Sequence, residues 1–342
     1  MKKKFVADLK PDETVSTLFL VRAKEIRTTQ AGKPYLRMEL GDRTGSVETV
    51  MWDRIDAVAT QIQAGDIIEV KARVGVYKNK PQLSLDAVRL ASPEVVDLAD
   101  FLPHTKEDVE KLFAELRQTA ESLENPWLRG LTLKLISDPA IAARYKRAPA
   151  AKMMHHAYLG GLLEHVISLC RLCRAVGAHY PELEMDLLLT AAMLHDVGKL
   201  EELCYERAIG YTTEGQLLGH IVMELQTVSR AMDAIEGFPP SWRTVVQHML
   251  ISHHGQYEFG SPKLPMLREA LLFHYLDDMD SKIAAARSAL EGNSGDPEWS
   301  EWSAALQRRF LRLDEFLKLR QSGEQGKAAE AGMGNTGPGQ SK

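Results

Sequence analysis

The hydrophobic periodicity of this chain changes once, near residue 92, and that change limits the folds open to it. Before it, apolar and polar side chains alternate in short runs such as Tyr35 to Leu40, which is typical of strands that bury one face. After it, apolar residues recur at helical spacing as far as about residue 320. The sequence therefore predicts a multidomain chain in which an all-β domain precedes an all-α domain.

The N-terminal part has the pattern of five short strands with a helix between the third and the fourth. This order is that of an OB-fold barrel, with another small β-barrel as the alternative. We expect the barrel over 1–92, a linker over 93–105, a helical domain over 106–320 and a disordered tail over 321–342, which is rich in Gly, Ala, Gln and Ser. The predicted helices are Lys106–Leu123, Trp127–Ile136, His156–His179, Met185–His195, Glu214–Ile235, Ser241–Ser252, Met266–Glu291 and Glu298–Lys318.

Composition places the chain among ordinary globular proteins, with 342 residues and a formal net charge of −5. No run of eighteen apolar residues occurs, and no apolar segment follows the N-terminal lysines, so we expect neither a membrane span nor a signal peptide. Three cysteines in such a chain suggest reduced thiols and a cytoplasmic location. Cys170 and Cys173 form a C-x-x-C inside a helical run, where buried structural thiols are favoured over zinc or redox use.

Ten of the eleven histidines lie between His155 and His274, and the centre of this region is His195-Asp196. The pair ends a predicted helix that is apolar almost all round, and Gly198 is expected to stop that helix. Burying an imidazole and a carboxylate is costly unless both are bonded, and a metal ion would bond both. The alternative is a capped helix in the core.

Further histidines and an aspartate lie on apolar helix faces or at helix ends: His165, His220, His253, His254 and Asp277. Each alone would more often be a core residue with ordinary partners. Together with His195 and Asp196 they indicate a metal centre.

The order H…HD…H…HH…D resembles the HD superfamily of metal-dependent phosphohydrolases in its binuclear form. The resemblance implies that His165, His195, Asp196 and Asp277 hold one metal ion. Asp196 would bridge to a second ion, held also by His220, His253 and His254. Asp277 is chosen because the segment from His274 to Asp280 resembles the closing H-x-x-D-x-x-D of that family, and Asp278 and Asp280 remain alternatives.

The pairing of an OB domain with an HD domain resembles the YhaM-type 3′→5′ exoribonucleases. The segments that carry this likeness are Ala148–Lys152 before His155-His156, Gly160-Gly161-Leu162, and His253–Pro262. The resemblance implies hydrolysis of single-stranded RNA, with single-stranded DNA as an alternative substrate, and two Mn²⁺ ions. The mixed nitrogen and oxygen donors also suit Fe, Co or Zn. Two such ions, if bound, would lower the pKa of a shared water and so supply a hydroxide for in-line attack on phosphorus.

Within this scheme Asp196, His195 and Lys199 are the catalytic candidates. Lys199 would contact a phosphate oxygen, although a solvated lysine at a helix end is an equal alternative. Lys152, His155 and His156 are candidates for contact with phosphate or for holding the metal ligands in place, and a plain surface run is the alternative.

The barrel is expected to hold the nucleic acid. Residues 1–92 contain sixteen Lys or Arg and twelve Asp or Glu, a net charge of +4, so positive charge is concentrated there. Base stacking is assigned to Tyr35, Trp52 and Tyr77, any of which could instead lie in the barrel core. The phosphate contacts are assigned to Lys24, Lys33, Arg37, Lys78 and Lys80.

Two other functions stay open. In one, the enzyme hydrolyses a small nucleotide, such as a deoxynucleoside triphosphate or a cyclic dinucleotide, and the OB domain regulates it. In the other, the chain is a nucleic-acid-binding protein with a vestigial HD site. The oligomeric state is also open, with a homo-oligomer among the alternatives.

Overall fold

A computed structural model describes residues 2, 4–78, 80–151, 158–205, 209–292 and 295–320. Lys152, His155, His156 and the predicted tail lie outside the described residues. The chain divides into two compact units, the first ending at Asp277 and the second beginning at Asp278. Among the described helices, none has the length and apolar character needed to cross a bilayer.

Five strands form a closed barrel near the N-terminus, in the order β1-β2-β3-β5-β4. Neighbouring strands are antiparallel except β3 and β5, which pair in parallel. A short helix, α1, lies between β3 and β4 in the chain, as predicted, and the OB-fold is confirmed. The bounds are β1 Thr14–Thr28, β2 Pro34–Asp42, β3 Gly45–Met51, α1 Ile55–Gln61, β4 Ile67–Tyr77 and β5 Lys80–Leu90.

The barrel closes because β1 is long enough to pair on both sides. Its first half, Thr14 to Leu20, pairs with β4, and its second half, from Leu20 to Thr28, pairs with β2. The register shifts between Val21 and Ala23, which bends the strand between its two partners. Side chains that alternate along β4, from Ile68 to Val74, fill the interior.

The helical region is built around α6, which is buried from Leu187 to Leu194 and packs against α2, α3, α5 and α10. An all-round apolar sequence can only be accommodated at the centre of such a domain. The helix bounds are α2 Val109–Glu121, α3 Pro126–Ile136, α4 Pro139–Tyr145, α5 Gly161–Gly177, α6 Met185–Leu194, α7 Lys199–Glu202, α8 Thr213–Leu218, α9 His220–Asp233, α10 Pro240–Ser252 and α11 Arg268–Glu291. Two short strands, β6 Leu203–Cys204 and β7 Gly210–Tyr211, pair between α7 and α8.

The predicted helix Glu214–Ile235 is in fact two helices, α8 and α9. Gly219 separates them with φ +73° and ψ 156°, a conformation that glycine adopts readily and other residues do not. The break makes His220 the first residue of α9. The helix α4 and the pair β6-β7 were not expected from the sequence.

The predicted helix Glu298–Lys318 is wrong over residues 298–312. Bridges join Trp299 to Leu311 and Ser303 to Arg308, and helix is present only over 313–320. The Ser300 hydroxyl accepts a hydrogen bond from the Phe310 N–H at 2.9 Å. Serine side chains that bond backbone groups in this way compete with helix formation.

Candidate functional site

His195 and Asp196 follow directly on the buried end of α6. His195 keeps a right-handed conformation as the C-cap, and the two residues are only 1% and 2% exposed. Gly198 does not stop the helix as predicted, because α6 already ends at Leu194 and Gly198 has a right-handed φ of −63°. The pair is therefore fixed in the core by the most buried helix of the domain.

One cluster of ligand atoms lies on one side of Asp196. His165 Nε2 is 3.2 Å from Asp277 Oδ1, and His195 Nε2 is 3.3 Å from Asp196 Oδ2. The cross distances, His165 Nε2 to Asp196 Oδ2 and His195 Nε2 to Asp277 Oδ1, are both 3.9 Å. Side-chain atoms from α5, from the end of α6 and from α11 thus converge, and three of them could hold a cation.

A second cluster lies on the other side of Asp196. It consists of His220, His253 and His254, whose ligand atoms lie within 4.8 Å of one another. His220 Nε2 is 3.8 Å from Asp196 Oδ1, whereas the first cluster faces Oδ2. The two carboxylate oxygens of Asp196 therefore face two separate groups of histidines.

The distances also indicate which aspartate of α11 belongs to the first cluster of ligand atoms. Asp277 carries the oxygen that lies 3.2 Å from His165. Asp278 instead accepts a hydrogen bond from Lys282 Nζ at 2.7 Å within the second unit. These contacts support the choice of Asp277, which remains a prediction.

Four of these histidines use Nδ1 for a contact with a carbonyl or carboxylate oxygen. A proton on Nδ1 leaves the lone pair on Nε2, which is the tautomer that binds metal ions. The contacts are His195 to Ala192 O at 3.2 Å, His253 to Leu250 O at 2.6 Å, His254 to Phe259 O at 2.7 Å and His220 to Glu202 Oε1 at 3.3 Å.

This tautomer makes two lone pairs face each other, because His220 Nε2 and His254 Nε2 are 3.2 Å apart. Burial, followed by the neighbouring His220, lowers the pKa of His254 and so favours its neutral form. Two nitrogens that share one cation at about 2.0–2.1 Å lie roughly 2.9–3.4 Å from each other. The buried Nε2 atoms of His195 and His253 also lack a hydrogen-bond partner within the described structure. These donors fit a pair of divalent cations.

Lys199 is part of this site and is not a solvated lysine. Its Nζ donates to Asp196 Oδ2 at 2.8 Å, and its side chain is largely buried. Burial alone would raise the pKa of Asp196, but Lys199 and His195 outweigh it and hold that pKa well below its usual range. Burial would likewise lower the pKa of Lys199, but Asp196 outweighs it and raises that pKa. Both groups are therefore charged.

Two acidic residues of the site were not found from the sequence. Glu202 Oε1 accepts the backbone N–H of His220 at 3.1 Å and so fixes the start of α9. Glu224 is fully buried, and burial, assisted by the charge of Asp196, raises the pKa of its carboxyl well above the usual value. Glu224 follows His220 by four residues, so helical spacing could have indicated that both share one face.

A groove of about 860 Å³ on the barrel gathers most of the residues expected to bind nucleic acid. The rings of Tyr35 and Trp52 stack with centroids 4.9 Å apart and an interplanar angle of 29°. Trp52 is 40% exposed and Tyr77 is 54% exposed, so neither lies in the barrel core. Lys33 and Lys78 extend over these rings, with Nζ 5.9 Å from the Trp52 centroid and 5.5 Å from that of Tyr77.

Two of the expected phosphate contacts already have protein partners. Arg37 forms ion pairs with Glu25, at 2.8 Å, and with Glu48. The ammonium of Lys24 donates to the carbonyl oxygens of Ala59 and Ile62. A phosphate would have to displace these partners, so Lys33, Lys78 and Lys80 are the better candidates.

Comparison with known families agrees with this architecture. Residues 20–91 match the model of an OB-fold nucleic acid binding domain, and residues 162–282 match that of the HD domain. The second range contains all seven predicted metal ligands. The chain therefore contains an OB-fold barrel, followed by a helical region that includes an HD domain.

Solved structures resemble about a quarter of the chain. A domain of replication protein A from Methanococcus maripaludis is 19% identical over 26% of this chain and 94% of its own, with a TM-score of 0.23. PriB from Ralstonia solanacearum is 14% identical over 23% of this chain and 97% of its own, with a TM-score of 0.21. The mitochondrial single-stranded DNA binding protein Rim1 from S. cerevisiae is 14% identical over 24% of this chain and 97% of its own, with a TM-score of 0.22. Scores of this size carry no functional argument.

Proposed function

We propose that this chain is a metal-dependent 3′→5′ exoribonuclease that hydrolyses the phosphodiester bonds of single-stranded RNA. The observation that carries the proposal is the position of Asp196, whose two oxygens face two groups of histidine nitrogens. An HD domain alone favours phosphoester hydrolysis, and the attached OB domain with an exposed aromatic groove favours a polymeric substrate. The polarity and the choice of RNA rest on the family resemblance.

The proposed metal ligands follow the two clusters. When bound, two divalent cations would supply an activated water and neutralise charge on the phosphate. Mn²⁺ is the proposed metal, although Fe, Co and Zn also accept such mixed donors. The first ion would be held by His165, His195, Asp196 and Asp277, and the second by Asp196, His220, His253 and His254.

Other residues of the chain orient these ligands and the substrate. The backbone carbonyls that bind the Nδ1 protons of His195, His253 and His254 keep each Nε2 directed into the site. Lys199 fixes the carboxylate of Asp196 and is close enough to the site to contact a phosphate oxygen. Lys152, His155 and His156 are proposed to contact the phosphate as well.

The barrel would hold the strand through stacking on the exposed faces of Trp52 and Tyr77, with Lys33 and Lys78 near the phosphates. Single-stranded DNA is a second proposed substrate, because no residue of the groove can be assigned to reading a 2′-hydroxyl. The three free cysteines accord with a cytoplasmic location, which is part of the proposal.

A 5′-labelled single-stranded RNA, incubated with Mn²⁺ or with a chelator and resolved on a gel, tests the proposal. We expect a ladder that shortens from the 3′ end with Mn²⁺ and an intact strand with chelator. Immediate release of labelled mononucleotide would contradict the polarity. An intact strand with hydrolysis of a deoxynucleoside triphosphate or a cyclic dinucleotide would support the small-nucleotide function. Less than about one bound equivalent of metal, without hydrolysis, would indicate a vestigial site.

A further inference from the structure

We propose that Glu224 is a third carboxylate ligand of the metal centre, which holds the second cation together with Asp196 and His220. This inference rests on the proposed function. Neither the HD motif nor the sequence pattern includes Glu224, which lies on α9 one helical turn after His220. With Glu224, the second cation would have an oxygen ligand in addition to Asp196 and the three histidine nitrogens.

The first observation is that the Glu224 carboxylate is buried without a hydrogen-bond partner. Glu224 is 0% exposed, and neither carboxylate oxygen has a hydrogen-bond partner within the described structure. A buried carboxyl without a hydrogen-bond partner destabilises the folded state, so its presence in the core needs an explanation. An ion that the carboxylate binds supplies one.

The second observation is that the Glu224 carboxylate lies close to two of the proposed metal ligands. A ligand oxygen of Glu224, one of Asp196 and a nitrogen of His220 all lie within 4.8 Å of one another. Two adjacent ligands of one cation at about 2.0–2.2 Å lie roughly 2.9–3.4 Å from each other. Binding of one ion would therefore draw the three atoms together by at most about 2 Å.

The geometry is less consistent with a role in which Glu224 only orients the ring of His253. The nearest histidine nitrogen is Nδ1 of His253, 3.6 Å from Glu224 Oε1. That nitrogen is already 2.6 Å from the carbonyl oxygen of Leu250, which takes its proton. Glu224 is thus not required to fix the His253 tautomer, and its oxygens remain available to a cation.

Charge leads to the same conclusion. Two divalent cations carry four positive charges, while the predicted ligand set contains only the carboxylates of Asp196 and Asp277. In a site this buried, a third carboxylate reduces the excess of positive charge before any substrate phosphate arrives. The added carboxylate oxygen is a hard ligand, so the site of the second cation would suit Mn²⁺ better than Zn²⁺.

The test is metal binding by Glu224→Gln, which keeps the volume of the side chain and removes its charge. Bound Mn²⁺ per chain is measured after loading and desalting, and the two affinities are measured by titration calorimetry. We expect wild type to bind two ions and Glu224→Gln to bind the second about 10–100-fold more weakly. Glu269→Gln is the matched control, since Glu269 is also mostly buried but accepts the Glu184 N–H at 3.0 Å. It should bind both ions as wild type does.

Thermal unfolding provides a second measurement. Without metal, Glu224→Gln should be at least as stable as wild type, because an unpartnered acid has been replaced by a neutral group. With Mn²⁺ its gain in Tm should be smaller than that of wild type. Two ions bound as tightly as in wild type, with an equal gain in Tm, would overturn the role of Glu224 alone. Fewer than two ions bound to wild type would overturn both this inference and the metal pair of the proposed function.

Discussion

Gly198 and His220 lie so close together that a methyl group on Gly198 would be 2.1 Å from the carbonyl oxygen of His220. The same methyl group would be 2.8 Å from the backbone nitrogen of Glu224. Backbone atoms cannot move aside as a flexible side chain can. Gly198 therefore sets the distance between the segment after the His-Asp pair and the helix that carries His220.

Gly198→Ala should push α9 away from Asp196. We expect a loss of about 1–3 kcal/mol in the free energy of unfolding and a fall in Mn²⁺ affinity of about 10–100-fold. Urea unfolding and metal titration measure the two effects. Gly130→Ala is the control, since Gly130 lies within α3 with nothing within 4 Å of the added carbon. It should leave metal affinity unchanged and stabilise the chain by up to about 1 kcal/mol. Equal behaviour of the two variants would contradict the steric argument.

Asp196→Ala removes the carboxylate whose two oxygens face the two groups of histidines. Turnover of labelled RNA should fall by at least about 10³-fold, because both proposed ions lose a shared ligand. Affinity for the same RNA should stay within about threefold of wild type, because the proposed stacking residues and the basic residues beside them in the groove belong to the barrel and are unchanged. Gel assays and fluorescence anisotropy provide the two measurements. A variant with near-normal turnover would eliminate the proposed mechanism.

Trp52→Ala tests the groove. Loss of one stacking platform should weaken binding of single-stranded RNA by about 1–3 kcal/mol, which is roughly 5- to 150-fold in Kd. Hydrolysis of a small synthetic phosphodiester should be unaffected, since it needs no groove. The matched control is Trp302→Ala, because Trp302 is also exposed but lies in the second unit. Similar affinities for wild type and Trp52→Ala would rule out stacking at this position.

The C-x-x-C pair gives a prediction about pH. Burial raises the pKa of both thiols, that of Cys173 to about 12, whereas an unfolded cysteine has a pKa of about 8.5. Above pH of about 8.5 the unfolded chain therefore binds fewer protons than the folded one, and stability should fall as pH rises towards 12. Urea unfolding at pH 7 and pH 9.5 measures this change, and Cys173→Ala should reduce it.

Thiol labelling separates a structural from a reactive role for the same pair. In the native protein Cys204, which is partly exposed, should react first with a thiol reagent. Cys170 and Cys173 are buried and should react only as fast as the chain unfolds. Rapid labelling of either residue, or release of zinc on labelling, would favour the alternative metal or redox use.

Local sequence determined the architecture of this protein. Alternation along the segment from Ile67 to Tyr77 specifies a strand with one buried face, and the apolar run from Met185 to Leu194 specifies a helix that only a core can hold. His195 and Asp196 could be singled out for the same reason, since a buried polar pair needs partners. Periodicity is a property of neighbouring residues, so it can be read without knowing the fold.

Tertiary structure alone decided which polar groups meet. The unpartnered burial of Glu224 and the pairing of Arg37 with Glu25 and Glu48 both depend on residues distant in the chain. Gly198 illustrates the difference, because its sequence position suggested a helix stop whereas the fold uses it for close approach to His220. Separations between helices are set by packing across the core, and no pattern of adjacent residues encodes them.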